Sequence, residues 1–147
     1  MKKILILFVS LLSFNNVSAQ KYTTQYIADA KEIGLEWWNQ VNTGKHEQAY
    51  SKLSNALKSK FTIEGWVSQI SMLMGEVGAC RSRIITDSYF QSEIEGFEDG
   101  FYVIIEYDVK YSKTRNHTEN LLLKQSDQLD WQIFDFDYAF QNLEPTE

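Results

Sequence analysis

The sequence predicts an α+β domain in which N-terminal helices pack on a curled, four-stranded antiparallel sheet. Apolar residues recur at three- and four-residue steps up to about residue 76, which is the period of a helix. From Gly78 onward the period falls to two, which is that of a strand. No helical pattern lies between the later strands, so short connections should join them into an antiparallel sheet.

A secretion signal precedes this domain. Lys2 and Lys3 form a positive start, Ile4–Leu12 is an apolar run, and a small-x-small cleavage site ends at Ala19. The apolar run is shorter than the roughly 20 residues that a bilayer span needs. We therefore expect a cleaved signal peptide, no membrane span after cleavage, and an exported protein that is periplasmic or secreted.

Length and charge restrict the classes of function. Cleavage would leave a single domain at 20–140 and a polar tail at 141–147, a size at which one core suffices. The chain has 14 Lys and Arg against 20 Asp and Glu, and loss of the two signal lysines moves the net charge from −6 to −8. Such an acidic protein repels phosphate, so we expect no nucleic-acid partner.

Three helices are predicted before the sheet. The first ends at Gly44, a residue that readily adopts the left-handed conformation after a helix. The second spans about 45–58, and the third spans about 63–76 with Thr62 as its N-cap. The first helix carries the longest apolar stripe, which comprises Ile27, Ala30, Ile33, Gly34, Trp37, Trp38 and Val41.

Four strands are predicted at 79–90, 101–111, 117–125 and 131–140. The second alternates most clearly, with Val103, Ile105 and Tyr107 on one face and Glu106 and Asp108 on the other. The sheet should curl around the first helix and enclose an apolar interior. If the opposite face carries apolar side chains, it would form a homodimer interface, for which the candidates are Tyr102, Ile104 and Leu121 or Leu122.

No residue pattern indicates a catalytic or metal site. Cys80 is the only cysteine, so an intramolecular disulfide is excluded, and we expect a small buried side chain there. His46 and His117 lack neighbours at metal-ligand spacing, and both are expected to face solvent. Asp135 and Asp137 are expected to be exposed charges of the last strand, and the acidic loop 93–99 a solvated turn.

Two arginines are the charged residues of greatest interest. Arg81 and Arg83 should lie on one face of the first strand with Ala79 and Ile85. Facing inward, they would bind an anionic ligand such as a carboxylate; facing outward, they would pair with acidic residues of neighbouring strands. The second arrangement is favoured, and the first stays open.

The pattern also resembles a known family. The resemblance rests on several aromatic, glycine and polar positions, which are Trp37-Trp38 with Gly44, Ser51, Phe61, Trp66, Gly78, Arg83, the segment 100–103 and Trp131-x-Ile133. These positions resemble those of a bacterial exported family, domain of unknown function 4019. The order of elements is similar to the cystatin-like and nuclear transport factor 2-like architecture. That resemblance implies a cone-shaped fold, and it implies no particular activity.

The hypothesis that best fits these observations is a non-enzymatic exported domain without a cofactor. It would bind a small apolar or anionic ligand, or a protein partner, in the cell envelope. The alternatives are an isomerase- or hydrolase-like enzyme that uses the cone cavity, and a self-associating module. The candidate ligand-binding residues are Trp38, Trp66, Arg83, Tyr107 and Trp131.

Overall fold

A computed structural model of the protein describes the backbone of residues 2–140 and the side chains of residues 20–137 other than Asn116. The expected tail 141–147 lies outside the described residues, as do the side chains of the expected signal peptide. The predicted α+β class is confirmed. The elements are α1 Lys2–Asn42, α2 His46–Ser51, α3 Asn55–Lys58, α4 Ile63–Val77, β1 Cys80–Gln91, β2 Tyr102–Tyr111, β3 Asn116–Gln125 and β4 Trp131–Phe140.

Helix α1 provides the main cover of the sheet. Its stripe buries Ala30, Trp37, Trp38 and Val41, none of which is more than 3% exposed. The helix ends before Gly44, whose φ of 76° is the left-handed conformation that the sequence predicts there. The backbone of α1 runs without a break through the expected cleavage site after Ala19. Cleavage of a signal peptide and export stay predictions. Within the described part of the chain, none of the helices combines the length and apolar character of a membrane span.

The four strands form one antiparallel sheet in the order β1-β2-β3-β4, as predicted. The sheet is curled but not closed, so β1 and β4 are its two edges. Leu121 pairs with Ile105 on one side and with Phe136 on the other. Register shifts interrupt β1 between Cys80 and Ser82 and again between Ile85 and Asp87.

The predicted second helix, 45–58, is wrong in one respect, because the chain forms two short helices there. Between them, Leu53 makes a parallel bridge to Ile133 of β4. The Ile133 amide donates to the Lys52 carbonyl (2.9 Å), and the Ser54 amide donates to the Ile133 carbonyl (2.8 Å). These bonds to a distant strand replace helical bonds, and the Ser54 hydroxyl then caps α3 by accepting from the Leu57 amide.

The outer face of the sheet also differs from the prediction. Leu121 is fully buried on the helix side, so it is not available to a dimer through the outer face. Tyr102 does lie on the outer face, but it too is fully buried, because Phe97 and Phe134 pack against its ring at 6.3 and 5.7 Å. The segment between β1 and β2 therefore covers the apolar part of this face. Ile104 and Leu122 remain half-buried.

Candidate functional site

An open groove runs between the C-terminal half of α1 and strand β1. Its volume is about 740 Å³. The walls are mostly apolar, and two of the wall residues, Leu35 and Ile85, are 73% and 42% exposed. The residues that line the groove are Lys31, Glu32, Leu35, Glu36, Trp38, Asn39, Asn42, Cys80, Arg83, Ile85 and Tyr107.

Local structure explains how these residues converge. Leu35, Trp38 and Asn42 are three or four residues apart, so they lie on one side of α1. In β1 the register shift beside Arg81 inserts one extra residue between Cys80 and Arg83. Cys80 and Arg83 therefore both line the groove although they are an odd number of residues apart.

The same shift corrects the expectation that Arg81 and Arg83 share a face. Arg81 is the inserted residue of the bulge, and its side chain is exposed. Arg83 faces the helices with its side chain only 10% exposed. The sequence pattern assumed regular alternation, and a bulge breaks that assumption without a local signal in the sequence.

Arg83 is held in place by an aromatic ring and an acidic partner. Its Cζ lies 3.8 Å from the centre of the Trp38 ring, which is stacking distance for a guanidinium. Its Nε and Nη2 donate to Glu119 Oε2 at 3.0 and 2.8 Å, and Nη2 also donates to the Tyr111 hydroxyl at 2.7 Å. The inward, paired arrangement combines the two alternatives that the sequence left open.

Glu119 completes a buried polar network on the inner face of the sheet. Its side chain is only 4% exposed. Its Oε1 accepts from the Tyr111 hydroxyl at 2.7 Å and lies 3.1 Å from His117 Nε2. Because the carboxylate only accepts, Nε2 carries the proton in this bond. Four donors thus surround one carboxylate, which compensates the cost of burying it.

The expected exposure of the histidines is wrong. His117 is 2% exposed, and its ring stacks on Tyr111 with centroids 5.1 Å apart. His46 is half-buried, with Nδ1 at 2.8 Å from Ser71 Oγ and Nε2 at 3.1 Å from the Val41 carbonyl. His117 is buried because it alternates with Leu121 along β3, and His46 because it begins α2 where α1 and α4 meet.

Glu119 is the central residue that sequence reasoning missed. The signal was present, since His117, Glu119, Leu121 and Leu123 occupy alternate positions of β3, and all four are buried. The two leucines mark the inward face, and the same spacing assigns Glu119 to it. Charged residues are almost never fully buried unless they are paired, and here the partner is Arg83 of a strand that is distant in sequence.

Burial changes the acid–base behaviour of the groove. It raises the pKa of Tyr107 to about 12, although the nearby Arg83 charge acts in the opposite direction. Burial, aided by the Glu119 charge, also raises the pKa of Tyr111. The pKa of the Cys80 thiol is raised by burial as well, so Cys80 is a protonated, weak nucleophile at neutral pH.

Behind Arg83, the network leaves almost no free space. A void of about 10 Å³ lies among Trp38, Met74, Tyr111, His117 and Glu119. That volume is at the lower limit for one water molecule. The wide groove and this small void therefore lie close to one another, and Trp38 borders both.

The five candidate residues do not form one site. The structure brings Trp38, Arg83 and Tyr107 together in the groove. Trp66 instead lines a separate depression of about 540 Å³ between α4 and β4, with Phe61, Ile70 and Phe136 among its neighbours. Trp131 lies at the opposite end of the sheet, where its ring packs against Tyr26 at 5.9 Å.

Metal ligation has no support among the residues whose side chains are described, where no group of three or more His, Cys, Asp or Glu side chains converges. Asp135 and Asp137 are exposed, as expected. Asp135 Oδ1 accepts from the Phe136 amide at 2.9 Å.

Comparison with known proteins gives one family. A family model described as "Protein of unknown function (DUF4019)" matches residues 33–136. The matched segment is more than half of the 147-residue chain and contains Trp38, Arg83, Tyr107 and Glu119. A search of curated proteins found no match.

Proposed function

The chain belongs to the family described as proteins of unknown function, DUF4019, and we propose that it binds a small, largely apolar molecule in the groove between α1 and β1. The observation that carries the proposal is the groove itself, whose volume of about 740 Å³ falls in the range of small-molecule sites. Apolar walls with a few polar groups are the usual composition of such sites.

Exposed apolar side chains support this assignment. Leu35 on α1 and Ile85 on β1 both line the groove, and each keeps a large part of its side chain in water. A ligand between them would remove that apolar area from water, at about 25 cal/mol per Å². The Trp38 ring, which stacks on Arg83 and makes an edge contact with Trp37, supplies a preformed wall.

An enzymatic role is less well supported by the same geometry. A general base has to reach its substrate, and Glu119 is the buried carboxylate nearest the groove. Its two oxygens accept from Tyr111, His117 and Arg83, and Glu119 lines the void of about 10 Å³ rather than the wide groove. We therefore propose binding without chemistry and without a cofactor, in the periplasm or outside the cell as the signal-like N-terminus predicts.

The test uses a neutral fluorescent probe, N-phenyl-1-naphthylamine, whose emission rises in apolar surroundings. Ile85→Glu places a charge in the groove, and its matched control, Ile84→Glu, places the same charge on the other face of β1. We expect Ile85→Glu to weaken probe binding by at least about tenfold, because a buried charge is costly, and Ile84→Glu to leave it unchanged. Absence of probe binding to the wild type, or equal loss in both variants, would refute the proposal.

A second measurement looks for the natural ligand. The protein is purified from its own host without denaturation and examined by native mass spectrometry. An added mass that is present in wild type, lost on denaturation and absent from Ile85→Glu would identify the groove as its site.

A further inference from the structure

We propose that the ligand's polar group is an uncharged hydrogen-bond acceptor, such as a carbonyl, and that Glu119 is the residue that selects it over a carboxylate. This inference rests on the proposed function, since it concerns the same groove. It also departs from the expectation of an anionic ligand, which the presence of Arg83 alone had suggested.

Two hydrogen-bond donors in the groove are free to bind a ligand. Nε and Nη2 of Arg83 are committed to Glu119 and Tyr111. The planar guanidinium then directs Nη1 away from Glu119, and Nη1 makes no hydrogen bond to any side chain or backbone atom that the structure describes. The Tyr107 hydroxyl, on the neighbouring strand, likewise has no hydrogen-bond partner within the described residues. Both residues line the groove, and its deep part therefore offers N–H and O–H donors.

The charges around the groove disfavour an anionic ligand. Arg83 carries one positive charge, and Glu119, 2.8 Å away, carries one negative charge that cancels it. A carboxylate that accepts from Nη1 would be a second anion beside an arginine already neutralised. Glu32 and Glu36 also line the groove, and Glu36 is paired with Lys52 at 2.8 Å. Lys31 is the other cation of the lining, and it lies on α1 beside Glu32.

A neutral acceptor avoids this repulsion and still uses the free donors. A carbonyl oxygen accepts from N–H and O–H donors without adding charge to a site that is partly removed from water. The raised pKa of Tyr107 keeps its proton in place at neutral pH. The arrangement thus favours the binding of a molecule with a carbonyl, ester or amide group at the end of an apolar body.

The experiment compares two probes that differ only in this group, decanamide and decanoate, as competitors of N-phenyl-1-naphthylamine at pH 8. For the wild type we expect decanamide to bind about tenfold more tightly than decanoate, the size of effect that one nearby like charge produces. In Glu119→Gln the acidic charge is lost while an oxygen acceptor for Arg83 remains, so the order should reverse. Asp108→Asn is the matched control, because it makes the same change in net charge on the exposed outer face of β2.

The outcomes separate the two proposals. Tighter binding of decanoate by the wild type, or an unchanged order in Glu119→Gln, overturns the role of Glu119 while leaving a ligand site in the groove. If the probe binds but neither decanoyl compound displaces it, the role of Glu119 is likewise overturned, and a ligand site in the groove remains. Failure of the probe itself to bind overturns both proposals. If Glu119→Gln does not fold, the wild-type order decides, together with Arg83→Met, which leaves the Glu119 charge uncompensated and should strengthen the preference for decanamide.

Discussion

The two ends of the helix-covered face of the sheet are built from different chemistry. At one end, Tyr26 of α1 packs against Phe90, Phe101 and Trp131 with ring centroids 5.4 to 5.9 Å apart. At the other end, the Trp38 ring of the same helix stacks on Arg83 and lines a small void together with Tyr111, His117 and Glu119. We call the first set the aromatic end and the second the ionic end. Both use rings as cover, but only the ionic end buries a charged pair.

The difference teaches where specificity can arise in this fold. Aromatic packing stabilises through buried area and ring contacts, and it leaves no charge unpaired when one ring is replaced by another apolar side chain. A buried charge pair stabilises little by itself, because desolvation offsets most of the attraction, yet removal of one member is severe. The groove opens beside the ionic end, where Arg83 presents its remaining donors. We therefore expect the two ends to respond differently to substitution.

The largest expected effect comes from unpairing the ionic end. Glu119→Ala leaves Arg83 without its anion in a site where that side chain is 10% exposed, and we expect a loss of about 3–5 kcal/mol in the free energy of unfolding. The measurement is urea unfolding followed by circular dichroism. The double variant Arg83→Met with Glu119→Leu should recover most of the loss, because no charge then remains unpaired. A single-variant loss below about 1 kcal/mol would mean that water reaches Arg83 freely.

The groove wall beside the ionic end should be sensitive to alkaline pH, because Tyr107 is buried there. The folded-state pKa of Tyr107 is raised to about 12, above the ordinary value of 10.0, so the neutral phenol is the form that folding favours. This contribution is complete below pH 10 and is lost as pH rises through the folded-state value, a change of about 3 kcal/mol at most. Tyr107→Phe removes the titrating group, so its stability should fall less between pH 10 and 12 than that of the wild type. Parallel stability curves for the two proteins would contradict this assignment.

Most of the fold was predictable because its determinants are local. The alternation of apolar residues predicted each of the four strands to within one residue at both ends. Thr62 was predicted as the N-cap of α4, and its hydroxyl accepts from the Gly65 amide at 3.1 Å. Such signals depend on neighbours within a few positions, so one sequence carries them in full.

The features that were missed depend on residues distant in sequence. The break between α2 and α3 arises because Leu53 pairs with Ile133, about eighty residues later. The inward position of Glu119 is stable because Arg83 donates to it across β2, which offsets the cost of burying the carboxylate. The structure places three of the five candidate residues, Trp38, Arg83 and Tyr107, in the groove. Aromatic residues on core faces mark the interior of a domain, but their spacing does not tell which part of that interior stays open.

The smallest expected effect belongs to the aromatic end. Tyr26→Leu removes a ring that contacts three others and substitutes an apolar side chain of smaller area, so we expect a loss of about 1–2 kcal/mol. Tyr22 lies one turn earlier on α1 and is 61% exposed, which makes Tyr22→Leu the matched control, with a change below about 0.5 kcal/mol. Both are read from urea unfolding midpoints. If Tyr26→Leu lowered the free energy of unfolding as much as Glu119→Ala, the two ends would be equally sensitive to substitution. Packing, rather than unpaired charge, would then set the tolerance of this face of the sheet.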